Sequence, residues 1–198
     1  MAGFRPVRGG SWRARLRPCS VPAGIRWTRV STGTAPVVYL LIGLTGSGKT
    51  TYARRLEAEG VLRLSVDEEV FARNGRYGVD YPEHEYPERE RPVVQEVRER
   101  LAEAVLAGRS VVLDYGLWRR TERDSYKKLV EDVGGRWRLI YLKVDRAELL
   151  RRLDARNRRD DANALKVTPE ALESFYARFE EPFDEGEEVI LPPADGPA

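Results

Sequence analysis

The chain has 198 residues, 41% of them hydrophobic and 33% charged, enough for one globular domain with a real core and too few for two. Its longest apolar run, Val37 to Ile42, is far short of the roughly 20 residues that cross a bilayer, so a transmembrane protein is excluded. Cys19 and His84 are the only residues of their kinds, which removes disulfide frameworks, thiolate or imidazole metal clusters and most His-driven nucleophilic chemistry. What remains is carboxylates, hydroxyls, Lys, Arg and backbone N–H groups, a set that suits phosphoryl transfer.

Residues 1–30 hold seven arginines and no Lys, Asp or Glu. Taking those seven from the net charge of +2 leaves residues 31–198 at −5, which argues against a broad nucleic-acid-binding face. Residues 1–35, rich in Gly, Pro, Arg and Ser, are expected to be a disordered basic leader, with a mistranslated leader, a transit peptide and a functional basic arm as the other readings. The domain is expected over 36–192, with a short tail at 193–198. The expected location is cytoplasmic, with no membrane partner.

From Pro36 onward, strand-like and helix-like patterns alternate. Val37–Ile42 is continuously apolar, as in a strand buried on both faces. Val61–Val66, Val111–Leu113, Leu139–Val144 and Val189–Leu191 read as further strands. Pro92 is expected to open a helix with Val94, Val97, Leu101 and Val105 on its apolar face and Gly108 at its end. Asp145 with Glu148 resembles a capping box for a helix carrying Leu149, Leu150 and Leu153. Thr168–Pro169 opens the last helix, where Leu172, Phe175, Tyr176 and Phe179 share a face. Strand alternating with helix predicts parallel βαβ units, an α/β fold. Asn74 to Pro92 and Arg151 to Lys166 break the rhythm, as lids and substrate loops do.

Gly43-Leu44-Thr45-Gly46-Ser47-Gly48-Lys49-Thr50 matches G-x-x-x-x-G-K-[ST] in full, directly after a buried strand and at the start of a helix. Glycines let the backbone curl so that its N–H groups face phosphate oxygens, and the helix dipole adds positive potential. Lys49 is expected to reach the β- and γ-phosphates and the Thr50 hydroxyl to hold Mg²⁺. The candidate ATP-binding residues are Gly43, Thr45, Gly46, Ser47, Gly48, Lys49, Thr50 and the adjoining Thr51.

Asp114 ends an apolar strand, as a Walker B carboxylate that holds Mg²⁺ does; the alternative is a plain strand-end cap. Tyr115 follows where ring ATPases need a glutamate, and no N-K-x-D stretch reads guanine, so a motor ATPase and a regulatory GTPase are disfavoured. Asp67 follows the second strand, at the sheet edge where α/β folds keep their ligand crevice. There it serves either as general base for an attacking hydroxyl or as an N-cap for Glu68 to Arg73. Glu68 and Glu69 are expected to be solvated. Arg152, Arg156 and Arg159 fall on one helical face, and such stacked like charges need an anionic partner. Either they form a lid over the phosphates, or Asp154, Asp160 and Asp161 neutralise them.

Together, the phosphate loop, Asp67, the Asp114 strand and the Arg-rich segment resemble small P-loop kinases related to chloramphenicol phosphotransferase, zeta toxins, gluconate kinase and polynucleotide 5′-kinase. The resemblance spans roughly Val37 to Glu188. It implies a parallel five-stranded sheet in order 2-3-1-4-5, with Asp67 at the general-base position and Arg152, Arg156 and Arg159 as lid arginines. On the acceptor side the match stops: Asn74 to Pro92 and Tyr115 to Arg123 carry no acceptor signature. Tyr115, Trp118, Arg119, Arg120 and Arg123 begin at the active edge and suit a planar or anionic acceptor, or else pack and solvate. His84, amid acidic neighbours, is expected to be an exposed loop residue. The expected activity is an ATP- and Mg²⁺-dependent kinase acting on a hydroxyl of a small-molecule acceptor. A polynucleotide or nucleotide kinase and a slow ATPase switch acting on a protein partner are the alternatives.

Overall fold

A computed structural model describes residues 34–157 and 169–191, with the side chains of 156, 157, 169 and 170 left out. Five strands form one all-parallel sheet in the order β2-β3-β1-β4-β5. The strands are β1 Val37–Ile42, β2 Leu62–Ser65, β3 Val111–Asp114, β4 Arg136–Leu142 and β5 Glu187–Ile190. The helices are α1 Lys49–Ala58, α2 Val66–Asn74, α3 Tyr86–Leu106, α4 Arg120–Asp132, α5 Arg146–Asn157 and α6 Pro169–Arg178.

The central strand explains the apolar run. Val38, Leu40 and Ile42 face a core shared with Val97 and Leu101 of α3 and Val130 of α4. Leu41 turns to the opposite face, against Ala53 and Leu56 of α1. A strand covered on both faces has no solvent side, so polar residues have no place in it. A third cluster of Leu44, Leu149, Leu153 and Leu172 joins the loop after β1 to α5 and α6. This packing fixes the loop: a Cβ at Gly46 would lie 3.2 Å from Leu153 Cδ2.

Three expectations need correction. The third helix opens at Tyr86 with Pro87 in its first turn, and Pro92 lies inside it. Pro87 already has the fixed φ that a helix start favours, so the boundary moves upstream and the expected loop shrinks. Gly108 does follow the helix end, at φ 77°. Asp67 is not the cap of α2; that is Ser65, whose Oγ accepts from the Glu68 N–H at 3.4 Å. Arg123 is fully buried and does not face an acceptor. It donates to both Glu185 carboxylate oxygens, at 2.8 and 2.5 Å, and to the Trp118 and Glu180 carbonyls. Lys127 also donates to Glu185, so a buried charge network ties the segment before β5 to α4.

Candidate active site

The phosphate loop follows β1 and ends in α1, as its mechanism requires. Gly43 has φ 148° and Gly48 φ 98°, conformations that side chains rarely adopt. A Cβ at Gly43 would lie 2.5 Å from Ser47 Oγ and 2.9 Å from the Leu142 carbonyl, so glycine is required on space as well. α1 has no acidic residue in its first turn and no side-chain cap, leaving its N-terminal N–H groups for an anion. Lys49 Nζ folds back to donate to the Gly43 carbonyl at 2.8 Å and the Leu44 carbonyl at 3.0 Å. Thr45, Gly46 and Lys49 are half-buried, Ser47 is buried and Thr51 is exposed. Beside the loop lies a cavity of about 250 Å³, lined by Ser47, Tyr141, Leu142, Tyr176 and Phe179 among others.

Thr50 and Asp114 meet: Thr50 Oγ1 donates to Asp114 Oδ1 at 3.3 Å. The other carboxylate oxygen is held by Arg63 of β2, whose Nη2 lies 2.6 Å away and Nε 3.1 Å away. Arg63 also donates to Glu68 at 2.8 and 3.0 Å, so Glu68 is half-buried and paired rather than solvated. Burial works against the Arg63 charge, but hydrogen bonds to Glu68 and Asp114 outweigh it and keep the guanidinium firmly protonated. The same Arg63 bond holds the Glu68 carboxyl below its ordinary range. A hydroxyl beside a carboxylate oxygen suits a hydrated Mg²⁺ that would take its other ligands from phosphates and water. No cluster of three or more His, Cys, Asp or Glu fit for a metal occurs among the described residues. Thr50 and Asp114 are the residues that would hold such an ion.

Asp67 lies in the first turn of α2, exposed, at the carboxyl edge of the sheet. Its Oδ1 accepts from the Tyr86 hydroxyl at 3.1 Å. Ser65 is paired in register with Asp114, so Asp67 and Tyr115 follow adjacent strand ends. Arg152 lies one turn from Glu148 on α5; its Nε donates to Glu148 at 2.6 Å, as does Arg151 Nε. Those two arginines hold the Glu148 carboxyl down to about 2. A Cβ at Gly48 would lie 3.9 Å from Arg152 Nη1, which places that guanidinium at the phosphate loop. The Arg156 side chain and all of Arg159 lie outside the described residues.

Of the residues expected to meet an acceptor, Trp118 packs on Phe175 with ring centres 5.2 Å apart, and Arg178 lies over it. Arg119 and Arg120 are exposed, as is His84. Sequence reasoning missed Arg63 and Glu90. Glu90 is half-buried, and burial together with the Asp67 charge pushes its carboxyl up to about 7. Opening α3 at Tyr86 puts Tyr86 and Glu90 at i and i+4 on one face, the spacing that would have shown them together.

The model of a family described as AAA domain matches residues 38–182. Among curated proteins, no sequence matches. Solved structures of similar fold include a suggested kinase from Chloroflexus aurantiacus, 18% identical over 80% of this chain and 88% of that one, with TM-score 0.60. A gluconokinase from Sinorhizobium meliloti is 16% identical over 82% and 85%, with TM-score 0.53. A chain of the Pnkp1/Rnl/Hen1 RNA repair complex is 18% identical over 76% of this chain and 48% of that one, with TM-score 0.55. These likenesses concern the fold alone, and by the match over residues 38–182 the chain belongs to the AAA-domain family.

Proposed function

We propose that residues 36–192 form an ATP- and Mg²⁺-dependent cytoplasmic kinase that transfers the γ-phosphate to a hydroxyl of a small-molecule acceptor. The observation that carries this reading is one sheet edge holding three parts: the phosphate loop with Lys49, the Thr50–Asp114 pair, and Asp67 with an exposed carboxylate. The kinases among the proteins of similar fold support it. Loop N–H groups and Lys49 bind and orient the phosphates, with Lys49 exchanging its loop carbonyls for phosphate oxygens. Asp67 takes the proton of the acceptor hydroxyl as that oxygen bonds to the γ-phosphorus and the bond to the leaving ADP oxygen breaks. Arg152, with Arg156 and Arg159 as lid partners, offsets the charge that spreads over the transferring group. Thr50 and Asp114 are the residues that would hold Mg²⁺, which would supply positive charge to the phosphate oxygens.

A polynucleotide acceptor is the second reading, because the RNA repair complex shares the fold. The −5 charge of residues 31–198 counts against it, since a nucleic-acid strand needs a basic channel. A γ-labelled ATP assay over sugars, nucleosides, antibiotics and 5′-hydroxyl oligonucleotides decides between them. The expected result is label on a small hydroxyl compound, abolished by a magnesium chelator. Label only on oligonucleotides, or chelator-resistant transfer, refutes the first reading.

A further inference from the structure

Arg63 is a cation where the sheet has little water to offer it. Its register partner on β3 is Val112, so its side chain leaves the sheet on the face of Val112 and Asp114, which α1 covers. The Arg63 side chain is 7% exposed and that of Asp114 5%. Every guanidinium nitrogen is committed there. Nε and Nη2 donate to Asp114 Oδ2 at 3.1 and 2.6 Å, and Nη1 and Nη2 donate to Glu68 at 3.0 and 2.8 Å. Glu68 accepts in turn from Arg54 of α1 at 3.2 Å. One chain of charges therefore runs from α1 through α2 and β2 to the strand end beside the phosphate loop.

Asp114 gains both orientation and a neutral setting from this chain. The torsion that turns an aspartate carboxylate about its own axis is soft, and a single Thr50 bond of 3.3 Å holds it weakly. A pair of N–H groups on Oδ2 stops that rotation and leaves Oδ1 as the oxygen on the Thr50 hydroxyl. The charge matters as well, because an unshared guanidinium beside a site for a divalent cation would oppose the ion. Glu68 shares the Arg63 charge with Asp114, and Arg54 completes a set with no net charge. A buried ion pair adds little stability over well-packed apolar residues. Core packing alone gives no reason for an arginine here.

We infer that Arg63, itself held by Glu68, is the positioning residue of the Thr50–Asp114 pair: it fixes Asp114 so that Oδ1 and the Thr50 hydroxyl stay together where Mg²⁺ would bind. Arg63 acts through Asp114, not on the ion or the phosphates. This rests on the kinase reading above.

The test uses the full chain and reads metal linkage rather than turnover. Binding of a non-hydrolysable ATP analogue is titrated calorimetrically in chelator and in magnesium, and the ratio of the two affinities is compared between proteins. In Arg63→Met that ratio is expected to fall about tenfold or more, while binding in chelator keeps its wild-type value. Arg63→Lys keeps a charge on Asp114 but loses the fork, so it recovers part of the ratio. With Asp114→Asn in place, adding Arg63→Met lowers the ratio no further, and a further fall overturns the inference. A folded Arg63→Met protein with the wild-type ratio overturns it even if that protein melts lower, and leaves Arg63 as a counter-charge only. A raised ratio overturns it too, since Arg63 would then compete with the ion for Asp114. If Arg63→Met does not fold, Arg63→Lys decides: a ratio below wild type supports the inference and an unchanged one overturns it. Wild-type binding that magnesium does not strengthen overturns the metal placement, and absent binding overturns the nucleotide site itself.

Discussion

The phosphate loop and the proposed acceptor side share one sheet edge but are built from different materials. The loop is mostly backbone, shaped by glycines at Gly43 and Gly48 that tolerate no Cβ or favour positive φ. The proposed acceptor side relies on side chains, chiefly Asp67 from α2, hydrogen-bonded to Tyr86 from α3. A backbone site binds what every nucleotide shares, and its geometry allows little variation. A side-chain site can be rewritten residue by residue, so one fold can serve many acceptors.

The sharpest way to break this division is at Asp67. Asp67→Asn keeps its shape and its ability to accept from Tyr86 but cannot take a proton. Transfer to whichever acceptor is labelled should fall by about 10²–10⁴, with ATP affinity and melting temperature near wild type. Stability is spared because Ser65, not Asp67, caps α2. Transfer within a few-fold of wild type would falsify the general-base role.

Lys49→Ala probes the other half. Removing a charge contact that strengthens in the transition state should cost about 3–4 kcal/mol, or 10²–10³ in rate. Here ATP affinity is expected to drop with the rate, in contrast to Asp67→Asn. Melting temperature should hold, since the glycines and the contacts with Leu149 and Leu153 set the loop's shape. A Lys49→Ala protein with normal turnover sinks the phosphate-loop assignment.

The same contrast decides what was legible in the sequence. The five strands and the phosphate loop could be read because each is forced by local pattern: two-sided burial makes apolar runs, and phosphate-binding backbone makes a glycine spacing. The sheet order came only from the family resemblance. Asp67 and Asp114 were visible because the one closely follows a strand and the other ends one. Glu90 was not, because Pro92 offered a plausible helix start and hid two turns of α3 behind it. Arg63 was hidden differently. It sits in a short strand near the sheet edge, where an arginine ordinarily points to water, and only the pairing of β2 with β3 brings it to Asp114. Arg123 looked like an active-edge residue because Tyr115 to Arg123 follow a strand end. Glu185, its partner, lies 62 positions away and gives no local sign. Contacts between distant segments leave no spacing to find.

The smallest expected effect is the one that reports directly on the acceptor side's charge. Burial and the Asp67 carboxylate raise Glu90 from the ordinary 4.5 to about 7. Tyr86, Tyr115 and Glu122 are the other groups acting on it. Between those two values the folded chain holds a proton that the unfolded chain has released. Stability contributed by protonated Glu90 is therefore intact below about pH 4.5 and drains away as pH rises through about 7. Glu90→Gln is neutral at every pH, so it should melt higher than wild type at pH 8 and by nearly the same amount as wild type at pH 4.5. Asp67→Asn removes the second charge and should shift that window downward, toward the ordinary carboxyl value, by lowering the Glu90 titration. Melting curves of the three proteins across this range measure it without any acceptor. A Glu90→Gln protein whose melting temperature tracks wild type at every pH would show that Glu90 titrates as an ordinary surface carboxylate.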